Sequence, residues 1–540
     1  FWSAKADIFF SESLHSTLIR NYTNKKQEDF FMKRGIDIKL NVRPIFLSLV
    51  HQTVFEGPCR FGHDEELEMA YDQMVEAELF EQYKKDLKKY ITDPQINVME
   101  CIYIERHEDF MSPESMFEAM TVDNDEVDLY LFNTEIGRTD ITTEFAQRYK
   151  KPIAIMPYNC CCLADCVPPL IARGLEAYGF YDWDDANKTM RAMRVRKVLR
   201  NMNVLVTPRY NANKSFSSES SFNSLAQVTD KFGIKFRVLN VHEFIETTHV
   251  VDPTTNSTVP GRNINNLDEA DMVEIERITD ELIAGANKVG MERDMIIKSV
   301  KLWYNAQKQM KLYDCNAFSM PCPDACATRR LNQEQFTACL CHSLNNEMGI
   351  PSACEYDIGA VVVMMILSNL SNSAAYMGNT NPIFYDENGD AIPERVITAE
   401  NLKDIKNVPN LYYTFHSTPN RKLKGFDQPY EEYGIQPFAY SGWGATLRYD
   451  FAKDAGQVIT MARISPDCSH MMIAKGTIVG GGGVDSQNCS LSVIFTVDNQ
   501  KDFFKKQVRY GGNHMPLVYG DYTEELEMLA EMLGLEVVRA

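Results

Sequence analysis

Short β-rich runs that alternate with helical stretches constrain this chain more than any other feature. Residues 127–132, 152–156, 204–206 and 234–239 read as strands, with helical patterns at 167–178 and 186–200 between them. Parallel neighbours need a crossover, and a helix supplies it, so alternation at this spacing predicts parallel sheets in α/β layers. Two longer helices follow at 267–288 and 292–312. On the first, Met272, Ile275, Ile278, Leu282 and Ile283 recur at helical spacing. Residues 334–346 and 357–370 also read as helices. Beyond Pro409 the pattern turns to strands at 411–415, 458–464, 471–479 and 491–496, and a helix at 523–533 closes the chain. Glu524, Glu525 and Glu527 favour that helix's N-terminus. The run Gly480-Gly481-Gly482-Gly483 reads as a turn or bulge. It lacks the helix and the Lys-Ser/Thr of a phosphate loop, which speaks against nucleotide binding.

Length and charge narrow the function classes. At about 150 residues per domain, 540 residues suggest three or four domains. Acidic side chains number 75 against 55 basic ones, a net charge of -20. Such a surface repels phosphate backbones and anionic lipid, so no nucleic-acid partner and no membrane partner are expected. The longest apolar run, 358–370, is far short of the roughly 20 residues that span a bilayer and reads as a buried helix. Phe1 to Lys5 have neither the basic nor the apolar region of an intact signal peptide. The 14 cysteines include the consecutive Cys160, Cys161 and Cys162, and adjacent residues pair poorly. Reduced thiols in the cytoplasm are the simplest reading. Cys162 with Cys166 and Cys322 with Cys326 have spacings that suit zinc or an iron–sulfur cluster, but both segments also read as helix starts.

The chemistry-bearing residues cluster in the last third. Glu355 and Asp357 stand just ahead of the apolar helix. In extended backbone they point to one side and converge; if the helix has begun, they diverge. Asp357 suits the N-cap, and Glu355 is the better candidate for a buried functional carboxylate. His416 ends a strand, and His514 follows Gly511-Gly512-Asn513; both places line clefts well. Glu and His ligands together suit Mn²⁺, Fe²⁺ or Zn²⁺. Trp443 offers a face for a sugar ring, and Arg448 offers a donor for a hydroxyl or an anion. The plainer alternatives are packing for Trp443 and solvent exposure for Arg448, Lys422 and Lys424.

The segment Ala353-Cys354-Glu355-x-Asp357-x-Gly359-Ala360 before an apolar helix resembles the L-fucose/L-arabinose isomerase family. Tyr376-Met377-Gly378-Asn379, His416-Ser417-Thr418-Pro419, Gly512-Asn513-His514 and Tyr519-Gly520-Asp521 continue the likeness in the family's order. The resemblance implies an α/β protein of two Rossmann-like parallel-sheet domains, 1–160 and 161–348. A C-terminal α+β domain with a β-barrel, 349–540, would carry much of the metal and substrate site. It implies aldose–ketose isomerisation of a sugar or sugar derivative through a cis-enediol, a divalent metal, most often Mn²⁺, and a homo-oligomer, with a hexamer favoured. Glu355 matches a catalytic and metal-binding carboxylate, and His514 matches a metal-binding histidine. His416 matches a further site histidine and, with Trp443 and Arg448, is expected to bind substrate.

One position departs from the family. Where a second metal-binding carboxylate is expected, this chain has Asn379, whose amide coordinates a cation through oxygen but takes no proton near neutral pH. Asn379 is therefore expected in the metal site, with Asp357, Asp386, Asp390 or a bound water in the missing proton-transfer role. A metal-dependent lyase or epimerase, or a non-catalytic sugar-binding relative, are the alternative functions.

Overall fold

The computed structural model describes residues 33–57, 60–107, 113–133, 139–156, 160–208, 223–245, 250–251, 258–259, 267–327, 329–394, 396–403 and 405–540. The chain is a mixed α/β protein whose described residues separate into two compact units, 37–197 and 198–540 with 33–36. The smaller unit holds a parallel sheet in the order Ile96–Val98, Leu40–Val50, Leu129–Asn133, Ile153–Ile155, Ala177–Gly179. Ile102–His107 also pairs in parallel with Leu40–Val50. Ile45, Leu47, Tyr130, Phe132, Ile153 and Ile155 feed its core. These strands are buried without alternation, as expected of parallel strands covered on both faces.

The larger unit holds a second parallel sheet, in the order Ser352–Cys354, Ala317–Met320, Asn203–Val206, Lys235–Val238. Most of the helices and strands expected from the sequence are present within a few residues of their expected places, while those from Leu40 to Met120 were not anticipated. Two helical expectations need correction. The helix expected at 167–178 runs from Cys160 to Ala172, and Ala177–Gly179 is a strand. The helix expected at 334–346 is two pieces, Arg330–Glu334 and Cys339–Glu347, broken after Gln335, whose φ is +59°. The cysteine-rich segments are helix starts, Cys160–Ala172 and Cys322–Ala327. Cys101, Cys166, Cys315, Cys322, Cys339, Cys341, Cys354, Cys468 and Cys489 are free thiols. The side chains of Cys160, Cys161, Cys162 and Cys326, needed for a metal at those segments, lie outside the described residues.

An antiparallel sheet follows, in the order Asn379–Pro382, Leu411–His416, Leu491–Val497, His470–Gly481, Val458–Ile464, Leu517–Tyr519. Its two edges meet. Tyr376 and Leu517 exchange backbone hydrogen bonds of 3.0 and 2.7 Å, and Asn379 bridges His514. These bridges close the sheet into a ring, which leaves neither edge open. Inside lie Tyr376, Tyr412, Ile459, Met461, Phe495 and Leu517. The glycine run enters as a bulge, since the pairing of His470–Gly481 shifts register between Ile478 and Gly480.

The apolar helix Ile358–Ser371 joins the second parallel sheet to the ring and is buried at every residue from 358 to 370. Among the described residues no helix is long and apolar enough to cross a membrane. Asp357 caps the helix, its carboxylate accepting from Ala360 N at 2.7 Å. At Gly359 any Cβ would stand 2.9 Å from Arg463 Nη2, so the missing side chain is what lets Arg463 lie against the helix's first turn.

Candidate metal centre

Cys354 ends a strand and Asp357 caps a helix, so the chain must turn within two residues. Glu355 and Tyr356 make the turn in the left-handed region, with φ of +61° and +57°. Non-glycine residues there cost about 1–3 kcal/mol each and persist where the surroundings enforce them. Here Tyr356 is fully buried and its N–H bonds Met320 O at 3.2 Å. The turn presents Glu355 to two histidines.

His416 sits at the end of Leu411–His416. The buried Tyr376 hydroxyl accepts from His416 N at 2.8 Å and donates to Leu491 O at 2.8 Å, which stitches that strand end to its neighbour. His514 lies on the closing seam. Its Nδ1 is 2.8 Å from Asp357 Oδ2. Arg463 Nη2 is 2.9 Å from Asp357 Oδ1, and Arg463 Nη1 donates to Asp357 Oδ2 at 3.0 Å and to His514 O at 3.1 Å. A carboxylate only accepts, so His514 Nδ1 carries the proton, and in the neutral tautomer this leaves the lone pair on Nε2. A carboxylate behind a ligating imidazole fixes both its tautomer and its direction.

Glu355 Oε2 is 3.6 Å from His514 Nε2, and Glu355 Oε1 is 3.4 Å from His416 Nε2. The three donor atoms lie within 4.8 Å of one another. His514 and His416 are 0% and 1% exposed, and neither Nε2 has a hydrogen-bond partner among the described residues. Orphaned nitrogens this deep are costly unless something coordinates them. Two imidazoles and one carboxylate are a donor set for a divalent transition metal with positions left open. The residues present therefore fit a metal ion.

Electrostatics keep both carboxylates ionised. Burial is the largest single influence on Glu355 and raises its pKa. The interactions with His416 and His514 together outweigh it, so the net shift is downward. Asp357 behaves alike: burial raises its pKa, but the Arg463 charge and the bond and charge of His514 hold it well below the usual range.

Asn379 lies beside the triad through its backbone, across the bridge from His514 and opposite Phe415. Trp443 is half-buried and packs on the core that includes Trp303 and Ile435. Arg448 is fully buried, not exposed, and donates from Nη2 to Asn488 O at 2.8 Å. Asp386 and Asp390 form an exposed turn in which Asp386 Oδ1 accepts from Asp390 N at 2.9 Å. Lys424 pairs with Glu431 at 3.0 Å, and Lys422 donates to Phe426 O at 3.2 Å. Arg463 was not anticipated. Its signal was a charge on the face of Val458–Ile464 that Ile459 and Met461 turn to the core.

No family model matches the chain. It is 27% identical over 269 residues to sulfoquinovose isomerase of Priestia aryabhattai, and equally to sulfoquinovose isomerase of Priestia megaterium. The match covers 49% of this chain and 52% of each relative, so the chain spans about half the length of the curated relatives it matches. These relatives point to the fucose/arabinose isomerase-like family, the one that the motifs around Glu355, His416 and His514 resemble.

Proposed function

We propose that this protein is a metal-dependent aldose–ketose isomerase acting on a sugar or sugar derivative through a cis-enediol. One observation carries the reading: Glu355, His416 and His514 converge at the closing seam of the antiparallel ring, with His514 locked by Asp357 so that Nε2 faces Glu355. His514, His416 and Glu355 would hold the ion, Mn²⁺ by its preference for oxygen and imidazole donors, with the Asn379 amide beside them. A bound ion would supply Lewis-acid polarisation of the sugar's oxygens there.

Glu355 moves the proton. Ionised at neutral pH, it accepts the proton from one carbon and returns it to the next. It works alone among nearby carboxylates, because Asp357 is committed to Arg463 and His514, and Asp386 and Asp390 lie in a surface turn. Asn379 contributes an oxygen and no proton. The relatives' printed activity brings sulfoquinovose into the set of sugars to test. By the same resemblance, the two parallel sheets are Rossmann-like domains, 1–160 and 161–348, and the ring is the barrel of 349–540. The protein assembles as a homo-oligomer, a hexamer, in the cytoplasm.

The test is exchange of substrate C–H with solvent deuterium in the presence of Mn²⁺, followed by NMR. Glu355→Gln should slow exchange by about 10²–10⁴-fold. Exchange at the parent rate in that variant would remove Glu355 from the reaction.

A further inference from the structure

The two histidines of the triad are held unequally. The backbone N–H of His416 donates to the Tyr376 hydroxyl at 2.8 Å, but its second ring nitrogen, Nδ1, has no hydrogen-bond partner among the described residues. His514 is held on its ring and on its carbonyl, and one buried side chain joins the two grips. Arg463 Nη1 donates to His514 O at 3.1 Å and to Asp357 Oδ2 at 3.0 Å, the same oxygen that lies 2.8 Å from His514 Nδ1. Arg463 Nη2 reaches the other oxygen of Asp357 at 2.9 Å, which stops the carboxylate from turning away from the ring. Two glycines make room for this guanidinium. A Cβ at Gly359, in the first turn of the apolar helix, would stand 2.9 Å from Nη2 and 3.0 Å from Cζ. A Cβ at Gly512, two residues before His514, would stand 3.1 Å from Nε and 3.4 Å from Cζ. Backbone from the helix and from the ring's seam thus packs directly against the fork.

We propose that Arg463 is a positioning residue of the metal centre. Its fork aims the His514 imidazole by gripping that residue twice, on the ring through Asp357 and on the carbonyl directly, and Gly359 and Gly512 seat the fork. The inference rests on the metal centre of the isomerase reading. Three ligands from three separate stretches of chain must be ordered together when an ion binds, and each side chain that is still free to rotate weakens binding by the freedom it loses. A His514 ring already fixed sets the direction of Nε2 before the ion arrives, which leaves Glu355 and the less constrained His416 to adjust to it. Charge alone does not achieve this. A Lys ammonium is a point charge on a flexible stem, able to face Asp357 but not to hold both its oxygens and the His514 carbonyl in one plane. Arg463 therefore acts through His514, by the shape of its fork.

The experiment compares the full parent chain with Arg463→Lys, Arg463→Met and Gly512→Ala. Urea unfolding of the metal-free proteins measures stability. Mn²⁺ titration, followed by the electron paramagnetic resonance of the free ion, measures affinity. Visible absorption of the Co²⁺-loaded proteins reports ligand geometry. Arg463→Lys should unfold near the parent, since Asp357 keeps a counter-charge, yet bind Mn²⁺ about 10–100-fold more weakly and shift the Co²⁺ bands. Gly512→Ala leaves the charge untouched and displaces the fork, so it should weaken Mn²⁺ binding and shift the bands in the same direction. Arg463→Met should lose both stability and affinity; if it does not fold, the other two variants carry the test. Parent affinity with unshifted Co²⁺ bands in Arg463→Lys would make Arg463 a counter-charge only. That result overturns the positioning role, and deuterium exchange on a sugar by the parent would leave the isomerase reading standing beside it. Arg463-dependent Mn²⁺ binding in a parent that exchanges deuterium on no sugar overturns the isomerase reading and keeps the positioning role.

Discussion

Asp357 serves three partners with two oxygens: Ala360 N, the Arg463 fork and His514 Nδ1. Asparagine caps a helix as well as aspartate, so Asp357→Asn separates the cap from the charge. The variant leaves Arg463 buried without a carboxylate, which should cost about 3–5 kcal/mol of stability. It also loosens the ring behind the metal, and Mn²⁺ affinity should fall about 10–100-fold. Urea unfolding and metal titration measure the two effects. A loss of stability with unchanged affinity would make Asp357 structural only. The double duty of Asp357 was half legible in the sequence. Its place before an apolar helix announced the cap, whereas its bond to a histidine 157 residues away depends on the ring's closure. Arg448 was readable as a possible anion donor but not as buried, because a strand-end arginine carries no local sign of its depth.

Elements that build the site are short and strained, and this explains where sequence patterns succeed and fail. Strands such as Val458–Ile464 and Leu411–His416 follow from their own residues, since both faces are apolar or buried. The strand Ala177–Gly179 does not, because it is held by pairing with Ile153–Ile155, and Pro168 and Pro169 inside Cys160–Ala172 mimic a helix start. The Glu355–Tyr356 turn is likewise invisible locally: neither residue favours a positive φ. Its cost is met by Tyr356 burial and by the helix that begins two residues on. Gly359 makes that junction possible. In an ordinary exposed helix Gly→Ala gains about 1 kcal/mol. Here the added carbon meets Arg463 Nη2 at 2.9 Å and Cζ at 3.0 Å, atoms already pinned by Asp357. Overpacking of this kind costs about 1–3 kcal/mol, so Gly359→Ala should be destabilising in thermal melts and should weaken metal binding as well. A stabilised variant would mean that Arg463 can move without loss.

At the scale of the whole molecule, the triad draws on residues 355, 416 and 514, which lie on three separate stretches of one compact unit. A metal there staples a strand-to-helix turn, a strand end and the ring's seam, all of them contacts between residues distant in sequence. Binding to the folded state alone stabilises by mass action, by about 2.7 kcal/mol at a hundred times the dissociation constant. That gain should be local in space and dispersed in sequence. Amide exchange with and without Mn²⁺ should show added protection at 352–360, 376–380, 411–418 and 511–519. The parallel strands Leu40–Val50 and Leu129–Asn133 of the other unit hold none of the ligands and should be unchanged. Chelation should reverse the pattern, and His514→Ala should abolish it at every one of the four segments together, because the remaining pair of donors cannot hold the ion against water. Protection that survives in His514→Ala, or that appears equally in both units, would place the metal elsewhere.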